Sequence, residues 1–303
     1  MSSRYQAGIV LPGYNPLLVP DAPTIGTATG GNASASVAFT APANVGGGAI
    51  TGYAAVSTPG GFTGSGASSP ITVSGLSNGT AYTFKVRATN AYGTSPLSAA
   101  SSSVVPEAPP TVIGQPYGGG YYAGQIGVSS VATHYLVVGP KASAEVGSTQ
   151  FKTTSTNDSG ATSDINGPSN SSSMNNASHP AAQFCEAVTT GGYTDWYLPA
   201  KNELEVCYYN LKPYNNSNNT SVATNPNAVP ARASNYTAGN PAQTSAAAFR
   251  VSGGEDFNGD KYWSSTQRTA AYGWPQSFYT GYQNPYEQKY FPRWVRAIRR
   301  VAV

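Results

Sequence analysis

In Ala81-Tyr82-Thr83-Phe84-Lys85-Val86-Arg87-Ala88-Thr89, apolar and polar side chains alternate. Tyr82, Phe84, Val86 and Ala88 fall on one side of an extended chain, and Thr83, Lys85, Arg87 and Thr89 on the other. Side chains along a strand point to opposite faces in turn, so this pattern reads as one buried and one wet face of an antiparallel sheet. Outward from it, strand-like runs recur at Thr24–Thr29, Ser36–Thr40, Ile50–Ser57, Ile71–Val73 and Leu97–Val104. Gly46-Gly47-Gly48, Pro59-Gly60-Gly61 and Asn78-Gly79 supply turns between them. Residues 21–107 are therefore expected to form one antiparallel β unit.

Several segments of that unit, in order, carry a resemblance. They are Pro20-Asp21-Ala22-Pro23, Val37-Ala38-Phe39-Thr40-Ala41-Pro42, Ile50-Thr51-Gly52-Tyr53, Leu76…Tyr82 through Asn90, and Gly93…Ser98. Together they resemble a fibronectin type III domain, which implies a β-sandwich and a tyrosine corner at Tyr82, its phenol bonded to nearby backbone. Phe39 stands where that family usually has Trp, which keeps an aromatic core. The unit carries no Arg-Gly-Asp and reads as a spacer.

Charged residues make up 10% of the chain, against about 25% in an average soluble domain. Gly (34), Pro (23) and Tyr (21) are abundant, as in turn-rich extracellular adhesins and virion fibres. The net charge of +3 and the scattered basic residues do not make a phosphate-tracking surface, so nucleic acid is not an expected partner. Two cysteines, Cys185 and Cys207, are too few for a disulfide framework, although a single bridge stays open. No apolar run approaches a membrane span, and residues 1–8 lack the apolar core of a secretory signal. These features predict assembly in a host cytoplasm onto a particle released by lysis, as phage structural proteins are.

Residues 1–20 form an apolar arm punctuated by Gly and Pro, expected to anchor on other virion proteins through Tyr5, Ile9, Val10, Leu11, Tyr14 and Leu17. Residues 108–117, with Pro109, Pro110 and Pro116, read as a semi-rigid linker. The remaining residues, 118–303, open with two strands near 118–126 and 134–138, and 153–178 reads as loop. Helical spacing follows in Pro180–Val188 and Ala200–Leu211. Residues 212–242 read as a polar loop, and strands return at Tyr262–Thr266, Pro275–Tyr282 and Val295–Val301.

Three ordered motifs mark 118–303: Trp196-Tyr197-Leu198-Pro199…Glu203-Leu204, Tyr262-Trp263-Ser264-Ser265, and Val295-Arg296-Ala297-Ile298-Arg299-Arg300. They resemble the W-x-L-P…E-L / Y-W-S-S / V-R-x-x-R family, found as the C-terminal domain of collagen-like bacterial adhesins and in phage tail proteins. That family is similar to the C-type-lectin-like fold. The resemblance implies a mainly β protein in which the sandwich is followed by a C-type-lectin-like α+β recognition domain. Trp196, Leu198 and Pro199 read as a buried turn, Glu203 as opposing the positive end of a helix, and Trp263 as core. Arg296, Arg299 and Arg300 form either a basic patch or pairs with Glu203 or Glu205.

Catalysis has little to work with. His134 and His179 are the only histidines, and neither has a nucleophile at a meaningful spacing. Glu255 and Asp256 read as part of a solvated loop. Glu255-Asp256-Phe257-Asn258-Gly259-Asp260 partly resembles a calcium loop without its distal Glu, so a Gly-containing turn is the plain reading and calcium its alternative. No cofactor is otherwise expected. The dense mixture of aromatics and amides in 268–294 suits a ligand surface of low entropic cost. Trp274, Tyr279, Tyr282 and Tyr286 are expected to be exposed there, with Gln283 and Asn284 bonding to the ligand. The reading is a non-enzymatic phage tail or head fibre, homotrimeric by analogy, that attaches to a host surface glycan or protein through 118–303. Its alternative is a virion decoration protein with purely structural contacts.

Overall fold

The computed structural model describes residues 18–221 and 224–303; the six proposed anchoring residues, Tyr5, Ile9, Val10, Leu11, Tyr14 and Leu17, lie outside them. The chain divides into two compact units, one ending at Pro109 and one beginning at Pro110.

The first unit contains β1 (Thr24–Gly31), β2 (Ser34–Thr40), β3 (Ile50–Thr58), β4 (Thr63–Gly66), β5 (Ile71–Ser74), β6 (Thr83–Asn90) and β7 (Gly93–Thr94). One antiparallel sheet has the order β1-β2-β5 and the other β4-β3-β6-β7. The predicted alternation is realised in β6, where Phe84, Val86 and Ala88 are fully buried and Lys85 and Arg87 face out. They join Val37, Phe39, Tyr53, Ile71, Val73 and Leu76 between the sheets, with the Phe39 and Tyr53 rings 4.7 Å apart. Phe39 thus does the aromatic work expected of it. The buried Tyr82 hydroxyl accepts a hydrogen bond from the Ser77 N–H at 3.1 Å, the predicted corner. β4 passes so close to β5 that a Cβ on Gly64 would lie 2.2 Å from the Thr72 carbonyl oxygen, so only glycine fits.

Two expectations for this unit are corrected. Leu97–Val104 is not a continuous strand. Ser95, Ser98 and Ser101 donate their N–H groups to Ala88, Val86 and Phe84 carbonyls (2.8, 2.8 and 2.9 Å), and their Oγ atoms accept the N–H groups of the same three residues (2.9, 2.9 and 3.0 Å). Three residues of this segment thus match two of β6, so the serine hydroxyls complete the backbone pairing that a regular strand would provide. The arm also ends earlier than residue 20. Leu18 O accepts from the Gly47 N–H (3.1 Å) and Asn90 Nδ2 (2.9 Å), and Pro20 is buried.

The second unit contains β8 (Pro116–Tyr117), β9 (Gly120–Val128), β10 (Val131–Val138), α1 (Lys141–Ala144), β11 (Glu145–Thr149), α2 (Gly167–Ser173), α3 (Pro180–Glu186) and α4 (Lys201–Leu211). After them come β12 (Lys261–Gln267), β13 (Tyr272–Ser277), β14 (Glu287–Gln288), β15 (Arg293–Arg296) and β16 (Ile298–Ala302). Its sheets have the orders β16-β10-β9-β8 and β11-β15-β12-β13-β14. The molecule is mainly β with a minor helical part. Residues 110–117 are not a free linker: β8 pairs with β9, and the Gly114 N–H donates to Tyr122 O at 2.8 Å. The predicted single strand Val295–Val301 is two. At Ala297 the N–H turns to Ala144 O (2.8 Å), which ends β15 in one sheet and starts β16 in the other. The strand expected at Pro275–Tyr282 stops at Ser277, where the chain turns and Gly281 adopts a left-handed φ of 75°. Within 153–178, read as loop, α2 forms behind Asn166, whose side chain accepts from the Ser169 N–H.

The motif residues hold this unit together from inside. Trp196, Leu198 and Trp263 are core. Glu203 is fully buried, accepting from the Ala200 N–H (2.7 Å), the Tyr197 hydroxyl (2.6 Å) and Arg300 Nε (2.6 Å). Ala200 has no side-chain acceptor for the start of α4, so Glu203 supplies one half of a capping box from within the helix. Arg299 forms a fork with Asp195 (2.8 and 2.9 Å), and Arg296 is paired with Glu255 and Glu145. The three arginines are therefore internal ties and not a basic patch. Glu205 pairs with Arg232 instead. Glu255, expected in a solvated loop, is likewise tied: its carboxylate accepts from Arg296 Nη2 (2.6 Å) and the Lys141 N–H (2.7 Å), while Asp256 binds Lys141 Nζ (2.7 Å). Cys185 and Cys207 are buried and free, in different core clusters, their thiols pushed up by burial.

A second internal tie centres on Asp158, which accepts from Lys152 Nζ, from Lys289 Nζ (2.7 Å) and from His179 Nε2 (2.9 Å). Burial raises its carboxyl, but hydrogen bonds from the lysines and His179 outweigh that and leave it below its usual value. A carboxyl depressed in the folded state binds protons less readily than in the unfolded chain. Its stabilisation is complete above the unfolded value, about 3.9, and is lost as pH falls through the folded one. Asp158→Asn is thus expected to be less stable than the wild type at pH 7, with the gap held down to about pH 4 and closing as the pH is taken below it. Urea unfolding across that range measures it, and a gap independent of pH would count against the assignment.

Candidate functional site

The aromatic stretch 268–294 contains β13, β14 and the start of β15, and the structure sorts its rings into core and surface. Phe278 is fully buried and stacks on Phe257 at 3.9 Å. Trp294 is half-buried beside Tyr262. Burying these rings supplies much of the apolar area that a domain so poor in leucine and isoleucine needs. The remainder reach the surface because β13 is followed on its outer side only by the two-residue β14.

At the start of β13 the exposed chemistry forms a ridge. Trp274 is half-buried, with Lys201 Nζ 4.5 Å from its ring centre and the Arg268 guanidinium at 5.8 Å. The same guanidinium lies 4.2 Å from the centre of Tyr286, which is 65% exposed, and Tyr272 meets Tyr286 edge to face at 6.1 Å. Arg268 Nη1 donates to Pro285 O at 2.7 Å, which fixes the cation between the two rings. Lys201 is the first residue of α4 and also reaches Asp164 at 3.4 Å. Lys201, Trp274, Arg268, Tyr286 and Tyr272 therefore make a continuous cation–π ridge. Each such contact contributes about 0.5–1 kcal/mol at an exposed site and holds its rings still. Rigid, amphipathic rings lose little entropy on binding a flat partner.

Trp274 and Tyr286 thus come together as part of one surface. Tyr279 is 49% exposed but lies beyond the other end of β13, where its ring partner is Tyr214 at 5.3 Å. Tyr282 is half-buried. Two of the proposed ligand contacts are corrected. Gln283 is buried, its amide donating to Lys201 O (3.3 Å) and Gln276 Oε1 (3.4 Å). Asn284 spends its amide inside the loop, donating to Glu287 Oε2 (2.6 Å) and accepting from the Tyr286 N–H (3.0 Å). Both amides shape the turn that presents Tyr286, because a tight loop must satisfy its own polar groups before it can offer any. Lys201 and Arg268 were missed. Arg268 stands in the aromatic stretch and was legible there, whereas Lys201 is more than 70 positions away in sequence and only packing brings it in.

Among the described residues, no group of three or more His, Cys, Asp and Glu side chains is placed to hold a metal ion. None of their helices is long and apolar enough to cross a membrane.

No curated protein matches the chain. Among solved structures, titin kinase with its flanking domains is 29% identical, over 29% of this chain and 17% of that one, with a TM-score of 0.26. The twitchin kinase region from C. elegans is 22% identical, over 30% of this chain and 17% of that one, with a TM-score of 0.28. The chain thus spans less than a fifth of either structure. The family model for the fibronectin type III domain matches residues 21–104. That span covers the two facing sheets, the aromatic core around Phe39 and Tyr53, and the tyrosine corner at Tyr82, and residues 21–104 are a fibronectin type III domain.

Proposed function

We propose that this chain is a phage virion fibre-type protein, in which residues 110–303 are a C-type-lectin-like domain that attaches to a host surface glycan or protein. The fibronectin type III domain spaces that domain from the particle, and residues 1–17 anchor it to other virion proteins in a homo-oligomer, a trimer by analogy. The observation that carries the reading is the ridge of Trp274, Arg268, Tyr286 and Lys201, a rigid aromatic surface on the domain that bears the adhesin-like motifs. The internal pairing of Arg296, Arg299 and Arg300 supports it, since these cations serve the fold and leave recognition to the ridge. Binding and not catalysis is the role proposed, with no cofactor.

The test is binding of the full chain to host cells and to extracted envelope glycans. Trp274→Ala is expected to weaken binding roughly tenfold or more, the cost of losing a central aromatic anchor, while the domain stays folded in urea titration with a loss of about 1–2 kcal/mol from its two cation–π contacts. Firm incorporation into particles with no host binding by the wild type would favour a decoration protein instead.

A further inference from the structure

A polar pocket of about 350 Å³ opens between residues 212–217 and 238–242, lined by Lys212, Asn215, Asn216, Ser217, Ala238 and Gly239 together with Pro241 and Ala242. Its chemistry differs from that of the ridge. The lining contains no carboxylate, and its one cation is already spent: Lys212 Nζ donates to Asn216 O, to Asn218 Oδ1 (2.8 Å) and to Pro241 O (3.3 Å). An ammonium has three donors, so none is left over for a ligand anion. The pocket therefore presents amides, a hydroxyl and backbone over a floor of small residues, with no free charge.

Its walls are also held in place. Asn218 Nδ2 donates to Thr237 O (3.1 Å) and Pro241 O (2.9 Å), and its N–H donates to Ala238 O (2.9 Å). Lys212 and Asn218 thus tie the two loops into one frame, which lowers the ordering cost of binding. Asn216 donates its amide to Tyr279 O, fixing the half-exposed Tyr279 beside the pocket, while its Oδ1 is buried without a hydrogen-bond partner. The volume lies at the lower end for small-molecule sites.

We infer that this pocket is a second binding site, independent of the Trp274 ridge, and that it takes an uncharged sugar residue. The hydroxyls of the sugar would bond to Asn215 and Ser217, the exposed polar side chains of the lining.

The experiment is saturation-transfer NMR and calorimetry on the full chain with a panel of neutral trisaccharides (maltotriose, cellotriose, mannotriose, chitotriose), each paired with a uronic-acid trisaccharide. At least one neutral member is expected to bind with a millimolar or better Kd, at least fivefold tighter than the uronates. Ala238→Trp, which fills the pocket from an exposed position, is expected to abolish that binding, and Asn215→Ala to weaken it at least threefold. Trp274→Ala is expected to leave it unchanged. No transfer to any neutral member, preference for the uronates, or binding that survives Ala238→Trp would overturn the inference. Loss with Trp274→Ala and not with Ala238→Trp would assign the sugar to the ridge. Host-cell binding that fails only in Trp274→Ala tests the ridge separately, so the two readings stand or fall apart.

Discussion

Arg296→Met is expected to destabilise the unit from Pro110 onward by about 3–5 kcal/mol, the cost of removing one partner from a buried ion pair. Arg296 is fully buried. Its Nε donates to Gly139 O (2.8 Å), Nη1 to Glu255 O (2.8 Å) and Nη2 to Glu255 Oε2 (2.6 Å), with Glu145 Oε2 3.5 Å away. The guanidinium also lies 4.8 Å from the ring centre of Phe257 and 5.5 Å from that of Phe249. Methionine can fill the aromatic contact but not the donors, so the Gly139 and Glu255 carbonyls lose this partner, and the Glu255 and Glu145 carboxylates keep neutral donors but lose the buried cation. Burial already pushes the Glu145 carboxyl up, and Arg296 opposes that shift, so without the cation Glu145 is driven further toward its neutral form. All four tryptophans, at 196, 263, 274 and 294, belong to this unit, so their fluorescence in urea reports its unfolding alone. A change below about 1 kcal/mol would show that the network adds little. Adding Glu255→Gln and Glu145→Gln is expected to recover part of the loss, because the stranded charges go with them.

Glu203→Ala is the second large effect, with about 3 kcal/mol expected by the same argument. Three donors converge on this carboxylate, and Arg300, partly open to solvent, keeps some hydration when it is removed. Glu203→Gln is expected to fall between the two, since it preserves an acceptor for the Ala200 N–H but not the charge for Arg300. The substitution also reaches the ridge. Glu203 holds the first turn of α4, and Lys201 in that turn stands over Trp274. Under the function proposed above, binding of Glu203→Ala to host cells is therefore expected to drop even under conditions where the domain is folded. Full binding with lowered stability would separate the helix cap from the ridge.

The motifs were legible for a physical reason. Trp196-Tyr197-Leu198-Pro199 and Trp263 are large apolar groups next to chain-turning residues, and such groups are buried wherever a core exists. α2 was not legible, because Gly167-Pro168-Ser169-Asn170-Ser171-Ser172-Ser173 has no apolar period. Its inward residues are polar and satisfied by specific partners, as when Ser171 Oγ accepts the Leu198 N–H (3.1 Å). The serine clamp along β6 escaped notice likewise, since the apolar residues between the serines suggested an ordinary strand. In the site, the density of aromatics marked the region, but it could not separate Phe278 in the core from Tyr286 in solvent, nor show that Gln283 faces inward.

By itself, then, the sequence determined the two-unit organisation, the fibronectin type III domain and the aromatic character of residues 268–294. Those depend on local period, turn chemistry and composition, which neighbouring residues carry among themselves. Tertiary structure decided which charges are internal ties, which aromatics are exposed, and that Lys201 joins Trp274 across more than 70 residues. Those outcomes depend on donors and acceptors that meet only when distant segments pack, and a buried polar group is tolerated only where its partner has arrived.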